Sequence, residues 1–245
     1  MDKYIFGSKG ELGKASAGAG AEVILRSIRE KKQANIILAT GASQFETLES
    51  LIQHEEIDWS KVVMFHLDEY IGLDESHPAS FRKYLRERFV DKVGGLRGVH
   101  FINPDPDNPE RECDRLGDII EGHSIDAAFV GIGENGHLAF NDPPADFETD
   151  KPFIVVELDE RCRQQQAREG WFNSIEEVPN EAVSMSIKQI MKSKCVIVSV
   201  PDKRKAKAVK DSIEGPVTNM CPASILQEHP DCRIFLDEDS SELLS

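Results

Sequence analysis

Four short stretches of the chain hold residue types that move protons or hold anions, and each follows an apolar run. Thr40-Gly41-Ala42-Ser43 follows Asn35–Ala39, and Asp68-Glu69-Tyr70 follows Val62–Leu67. Gly133-Glu134-Asn135-Gly136-His137 follows Ala127–Ile132, and Pro201-Asp202-Lys203-Arg204-Lys205 follows Cys195–Val200. A carboxyl at the edge of an apolar strand is partly desolvated, which raises its pKa and suits it to proton transfer. Asp68 is in that position; its plainer role would be a helix cap. Imidazole is the side chain that exchanges protons near neutral pH, and Asn135 and Asp142 are near enough to orient that of His137. The N–H groups of a Thr40–Ser43 turn suit a phosphate at a helix N-terminus, with Ser43 adding a hydroxyl. The plainer reading is a strand-to-helix turn with Ser43 as N-cap. Cations at a helix start oppose the macrodipole, so an anion beside Lys203, Arg204 and Lys205 would offset their placement.

Several chemistries are excluded. No Gly-Lys-Ser/Thr follows the Thr40 turn, so it is no Walker A loop. Gly131-x-Gly133-x-x-Gly136 has dinucleotide-fingerprint spacing, but Leu138–Pro144 leaves no room for the long helix that motif opens. His66, His77 and His137 form no H-x-x-x-H or H-E-x-x-H pair, so no metal site is expected.

The elements that must position these residues are read from periodicity. The four apolar runs, with Arg233–Leu236 as a fifth, are near-continuously apolar, as in parallel strands covered on both faces. Between them apolar residues fall at helical spacing: Leu12 to Ile28, Phe45 to Ile52, Phe81 to Phe89, and Cys113 to Ile120. Asp202 can cap a helix running to about Ser212. The alternation predicts an α/β fold, a doubly wound and mostly parallel sheet formed as a single domain over residues 1–245. Residues 143–152 are the longest irregular stretch and are expected to be a loop beside the site. Ligands of open parallel sheets bind beyond the carboxyl ends of the strands, where all four polar stretches would converge.

Composition narrows the partners. Of 245 residues 40% are hydrophobic and 30% charged, which is ordinary for a globular chain. The net charge of −15 argues against nucleic acid and anionic membrane partners, but a few local cations suffice for one phosphate. Five cysteines without a C-x-x-C pair suit a reducing compartment. No signal peptide is visible and no apolar run approaches membrane-spanning length, so a cytoplasmic location is expected.

Val63–Leu73 with His77-Pro78-Ala79-Ser80-Phe81, and Gly131–Pro143, resemble the glucosamine-6-phosphate deaminase/isomerase family. Thr40–Ser43, Arg204-Lys205-Ala206, Glu214–Val217 and Pro222–Leu226 are further matches in family order. The resemblance implies a Rossmann-like fold, a 2-amino-2-deoxyhexose 6-phosphate substrate, a ketose 6-phosphate and ammonia as products, and no cofactor. It implies catalytic roles for Asp68, Asn135, His137 and Asp142. His137 would move the ring-opening proton, and Asp68 would carry a proton from C2 to C1, leaving an imine that water hydrolyses. It implies substrate contacts from Thr40, Gly41, Ala42, Ser43, Glu69 and Lys205, and an arginine between residues 161 and 168, read as Arg168. Asn135 stands where many members carry Asp, and Asp142 where Glu is usual. An Asn is expected to orient His137 through its carbonyl.

Two other functions compete. A 6-phosphogluconolactonase shares the fold, but that family typically has Asp-Glu-Arg in place of Asp68-Glu69-Tyr70. A sugar-phosphate sensor would carry a helix-turn-helix, for which residues 1–34 supply only one strand and one helix. Family members occur as monomers and as larger assemblies, so a homo-oligomer stays open. Some members are activated by N-acetylglucosamine 6-phosphate. The corresponding Asp146–Ile154 stretch holds three acids and one Lys, so no activation is expected.

Overall fold

The computed structural model describes all 245 residues. In chain order the strands are Asp2–Phe6 (β1), Ala34–Leu38 (β2), Val62–His66 (β3), Asp68–Tyr70 (β4), Gly98–His100 (β5), Ala127–Val130 (β6), Phe153–Glu157 (β7), Glu181–Met185 (β8), Cys195–Val200 (β9) and Cys232–Asp237 (β10). The helices are Lys9–Lys31 (α1), Phe45–Leu51 (α2), Phe81–Leu85 (α3), Asp91–Val93 (α4), Glu110–Glu121 (α5), Glu160–Arg168 (α6), Ile187–Met191 (α7), Ala206–Glu214 (α8) and Glu238–Ser241 (α9).

Seven strands form one parallel sheet in the order β1-β10-β9-β6-β2-β3-β5. Strands β2, β3, β6 and β9 are buried along their whole length, because helices cover both faces. The pleat sends alternate residues to opposite cores. Ile36, Leu38 and Met64 join α1, α2 and α3 on one face, while Ile37, Val63 and Phe65 join α5, α7 and α8 on the other. Each such side chain contributes about 1.5–3 kcal/mol by burial.

Close approach explains two glycines inside α1. A Cβ on Gly20 would stand 2.1 Å from the Phe129 ring, and one on Gly13 would stand 2.4 Å from Glu46 Cβ. Glycine inside a helix costs about 1 kcal/mol against Ala, and here it lets α1 reach both the sheet and α2.

A second, antiparallel sheet of three strands, β4-β8-β7, was not expected from the sequence. One residue separates β3 from β4, so the chain passes between sheets at Leu67. Leu67 is tied to both: its N–H donates to Leu38 O, and its carbonyl accepts from Met185 N–H. A third apolar cluster, with Tyr70, Phe81, Phe140 and Phe172, fills the space under the small sheet. Residues 143–152 are irregular, as expected. No helix is long and apolar enough to cross a membrane.

Candidate active site

Going outward from β2, the chain visits β3 and β5 on one side, then returns to β6 on the other. The connections therefore diverge between β2 and β6, and a crevice opens at their carboxyl ends. A solvent-open cleft of about 720 Å³ occupies it. Thr40, Gly41, Ala42, Ser43, Asp68, His137 and Lys205 all line this cleft. Asn135, Asp142, Glu69 and Arg168 do not line it.

Asp68 is 6% exposed, at the passage from β3 to β4. Burial first, and the neighbouring Glu69 carboxylate second, push its carboxyl up to about 8. No hydrogen bond to the protein holds it down. A desolvated carboxyl facing a cleft can take and return a proton near neutral pH.

Glu69 points the other way, because successive side chains of a strand alternate. It is completely buried and accepts from the N–H groups of Phe81 and Arg82, from Ser80 Oγ, and from Arg82 Nε at 3.2 Å. The expected substrate contact from Glu69 is thus replaced by a brace that docks α3 against β4. Its only reach into the cleft is electrostatic, through Asp68.

The loop after β6 is shaped around His137. Its Nδ1 lies 3.1 Å from Asp142 Oδ1. A Cβ on Gly133 would stand 2.3 Å from His137 Cε1, so the imidazole packs flat over that glycine. Gly136 has φ +85, a left-handed value that glycine adopts freely. Gly131 leaves room for Ser43, whose Oγ would lie 2.8 Å from a Cβ there. The three glycines thus serve a histidine, a serine and a turn.

Asn135 does not orient the ring as expected. Its Oδ1 accepts from the His137 backbone N–H at 3.1 Å, and its Nδ2 donates to Asp142 Oδ1 at 2.9 Å and Asp159 Oδ2 at 3.1 Å. The reason is geometric: the turn at Gly136 folds Asn135 back on the loop, beside the acids rather than the imidazole. Asn135 therefore holds Asp142, and Asp142 meets the ring. Burial opposes ionisation of Asp142, but the His137 hydrogen bond and charge, then Asn135 and the Asp159 N–H, hold its carboxyl below the usual value. Asp159, which also caps α6 through Cys162 N–H at 2.6 Å, went unrecognised in the sequence.

The turn after β2 and the loop after β9 form the opposite wall. Gly41 has φ +89 and begins a helical turn running into α2; the N–H groups of Gln44 and Phe45 are bonded to Gly41 O and Ala42 O, and those of Ala42 and Ser43, at the start of the turn, have no helical acceptor. Tyr84 Oη donates to Gly41 O at 3.0 Å, and Gln44 Nε2 donates to Ser43 Oγ at 3.2 Å, fixing the turn. Lys205 is 6% exposed, and burial lowers its pKa. Of the cleft cations, Lys9 and Arg204 are paired with Asp202, at 3.4 Å and 3.0 Å. Lys205 has no salt bridge. Its loop is held at Asp202, which takes φ +92 while its N–H donates to Asp237 at 3.0 Å. Arg168 is drawn outside the cleft by Glu134, 2.7 Å away, on the exposed side of α6. The same helix and its C-cap instead present Gln165, Gln166 and Glu169 to the cleft.

His137, Asp142 and Cys162 have ligand atoms within 4.8 Å of one another. Their chemistry does not suit a resident metal. His137 Nδ1 is engaged by Asp142, and burial first, then the Asp142 charge, push the Cys162 thiol well above its usual value. A protonated thiol is a poor ligand.

Comparison with known proteins agrees with this architecture. Residues 7–234 match the family described as glucosamine-6-phosphate isomerases/6-phosphogluconolactonase. A glucosamine-6-phosphate deaminase of Exiguobacterium sibiricum is 38% identical over 218 residues, 89% of this chain and 84% of the relative. One from Streptococcus pneumoniae is 36% identical over 92% of this chain and 95% of the relative. A solved monomeric glucosamine-6-phosphate deaminase superposes with a TM-score of 0.89 at 32% identity, covering 99% of this chain and all of that one. The 6-phosphogluconolactonase of Trypanosoma brucei shares the fold at a TM-score of 0.83 and 18% identity, covering 100% of this chain and 98% of that one.

Proposed function

The chain belongs to the glucosamine-6-phosphate isomerase/6-phosphogluconolactonase family, and on that premise we propose that it converts glucosamine 6-phosphate and water to fructose 6-phosphate and ammonia. The observation that carries the reading is Asp68, a buried carboxyl without a protein partner, in the same cleft as His137 and the unpaired Lys205.

The phosphate is assigned to the Thr40–Ser43 turn and Lys205, which places the reacting end of the sugar toward Asp68 and His137. His137, steadied by Asp142, moves the proton of the anomeric hydroxyl to the ring oxygen, opening the ring. Asp68 then removes the proton on C2 and delivers it to C1. The C–N bond gains double-bond character, giving an imine at C2. Water adds there, ammonia leaves, and the ketone remains. Every step is proton transfer or hydration, so the residues named suffice.

The test is a substrate panel. Glucosamine 6-phosphate, galactosamine 6-phosphate and 6-phosphogluconolactone are each incubated with the protein, and ammonia, ketose 6-phosphate and acid are measured. Release of ammonia with ketose 6-phosphate is expected. Lactone hydrolysis without ammonia release would overturn the assignment.

A further inference from the structure

Helix α6 brings polar groups into the cleft that this chemistry does not use. Gln165 is 5% exposed and bonded at both ends of its amide. Its Oε1 accepts from the Glu134 N–H at 2.9 Å, and its Nε2 donates to Glu169 Oε1 at 3.0 Å. One oxygen of Glu169 is thereby fixed. The other, Oε2, lies 4.0 Å from where a Cβ on Gly41 would stand. A carboxylate is thus held over the turn assigned to the phosphate. Its charge is the first favourable influence on the Lys205 ammonium, yet it forms no salt bridge with that or any other cation.

A fixed anion beside a phosphate cradle disfavours a bare phosphate. It favours a phosphate ester that brings O–H donors to the carboxylate from neighbouring carbons. Penalty and reward together separate ligands further than either alone. We infer that Glu169, clamped by Gln165, is a specificity-determining residue that selects hydroxylated sugar phosphates against phosphates without hydroxyls beside them. The inference rests on the phosphate placement proposed above.

The experiment measures binding of inorganic phosphate and of fructose 6-phosphate by calorimetry, so deamination is not needed for a readout. The proteins are the wild type, Glu169→Gln, Glu169→Ala and Lys205→Ala. Glu169→Gln keeps an acceptor for Gln165 and removes only the charge. Inorganic phosphate should bind at least about threefold tighter to both Glu169 variants. Fructose 6-phosphate should bind about 10–100-fold weaker to Glu169→Ala, which has lost the acceptor. Movement of the two ligands in opposite directions in Glu169→Ala is the signature. Changes in the same direction, or none, overturn the inference while a loss of both ligands in Lys205→Ala upholds the phosphate placement. Unchanged binding of both ligands in Lys205→Ala overturns the placement and the inference with it.

Discussion

Asp68 is where function and stability oppose each other. A carboxyl buried without a partner is held protonated up to about pH 8, whereas in the unfolded chain it ionises near pH 4. Between those values the folded state keeps a proton that the unfolded state has lost, so this group makes stability fall as pH rises through that window. Asp68→Asn removes the effect. It should lower turnover by about 10²–10⁴-fold, the usual contribution of a positioned acid–base group. It should also raise the melting temperature relative to the wild type, by a margin that grows from about pH 5 to about pH 8. Turnover assays and thermal melts across that range check both. An inactive variant whose margin over the wild type stays flat with pH would remove the buried carboxyl as the cause. Lys205 is the matching cation at the other wall: Lys205→Ala should lower kcat/KM for a 6-phosphorylated substrate by about 10–150-fold, mostly through KM. An equal loss with the unphosphorylated aminosugar would give Lys205 a different job.

The loop after β6 shows how an element builds a site. Gly133 has no left-handed backbone, so only the space over its Cα matters. Gly133→Ala would push the imidazole off Asp142 without touching either core. Turnover should fall at least about tenfold while the melting temperature changes little, since the loss lies in geometry that acid–base transfer requires. An unaltered rate would show that the ring packs elsewhere during the reaction. This loop, with the strand ends around it, was legible because long apolar strands announce themselves: β2, β3, β6, β9 and β10 begin and end within a residue or two of the runs seen in the sequence. The small sheet was not legible. Strand β4 is three residues, one residue beyond β3 and polar at two of them; β8 mixes polar with apolar residues, and β7, as long as β2, runs straight on from the irregular stretch and is buried only at Phe153. Helix α6 was hidden for a different reason. Its sequence, Glu-Arg-Cys-Arg-Gln-Gln-Gln-Ala-Arg, has almost no apolar face, since the side it buries is turned to a polar cleft. The family resemblance implies site roles for Glu69 and Arg168, and the strand pleat in one case and the Glu134 ion pair in the other direct them away from the cleft.

At the scale of the whole molecule, a −15 chain concentrates its cleft cations at one sheet edge, and what surrounds that edge bears on regulation. An activator acting through a second phosphate site needs cations there and two states with different affinity for it. The loop that follows the catalytic block carries Asp146, Glu148 and Asp150, the last two almost fully exposed. Lys188 reaches this loop from α7 and is spent on it: its Nζ lies 3.1 Å from Asp150 and donates to Glu148 O, which leaves Lys151 as the loop's own cation against three acids. A phosphate arriving there would meet three carboxylates and displace an existing ion pair, which weakens binding rather than supporting it. N-acetylglucosamine 6-phosphate should therefore act only by competing for the proposed phosphate turn in the cleft, since its acylated nitrogen cannot be released as ammonia. Saturation curves for glucosamine 6-phosphate should be hyperbolic without it and remain hyperbolic with it, shifted only toward higher apparent KM. A sigmoidal curve that the acetylated sugar makes hyperbolic would place an effector site outside this loop, with cations drawn from another part of the surface.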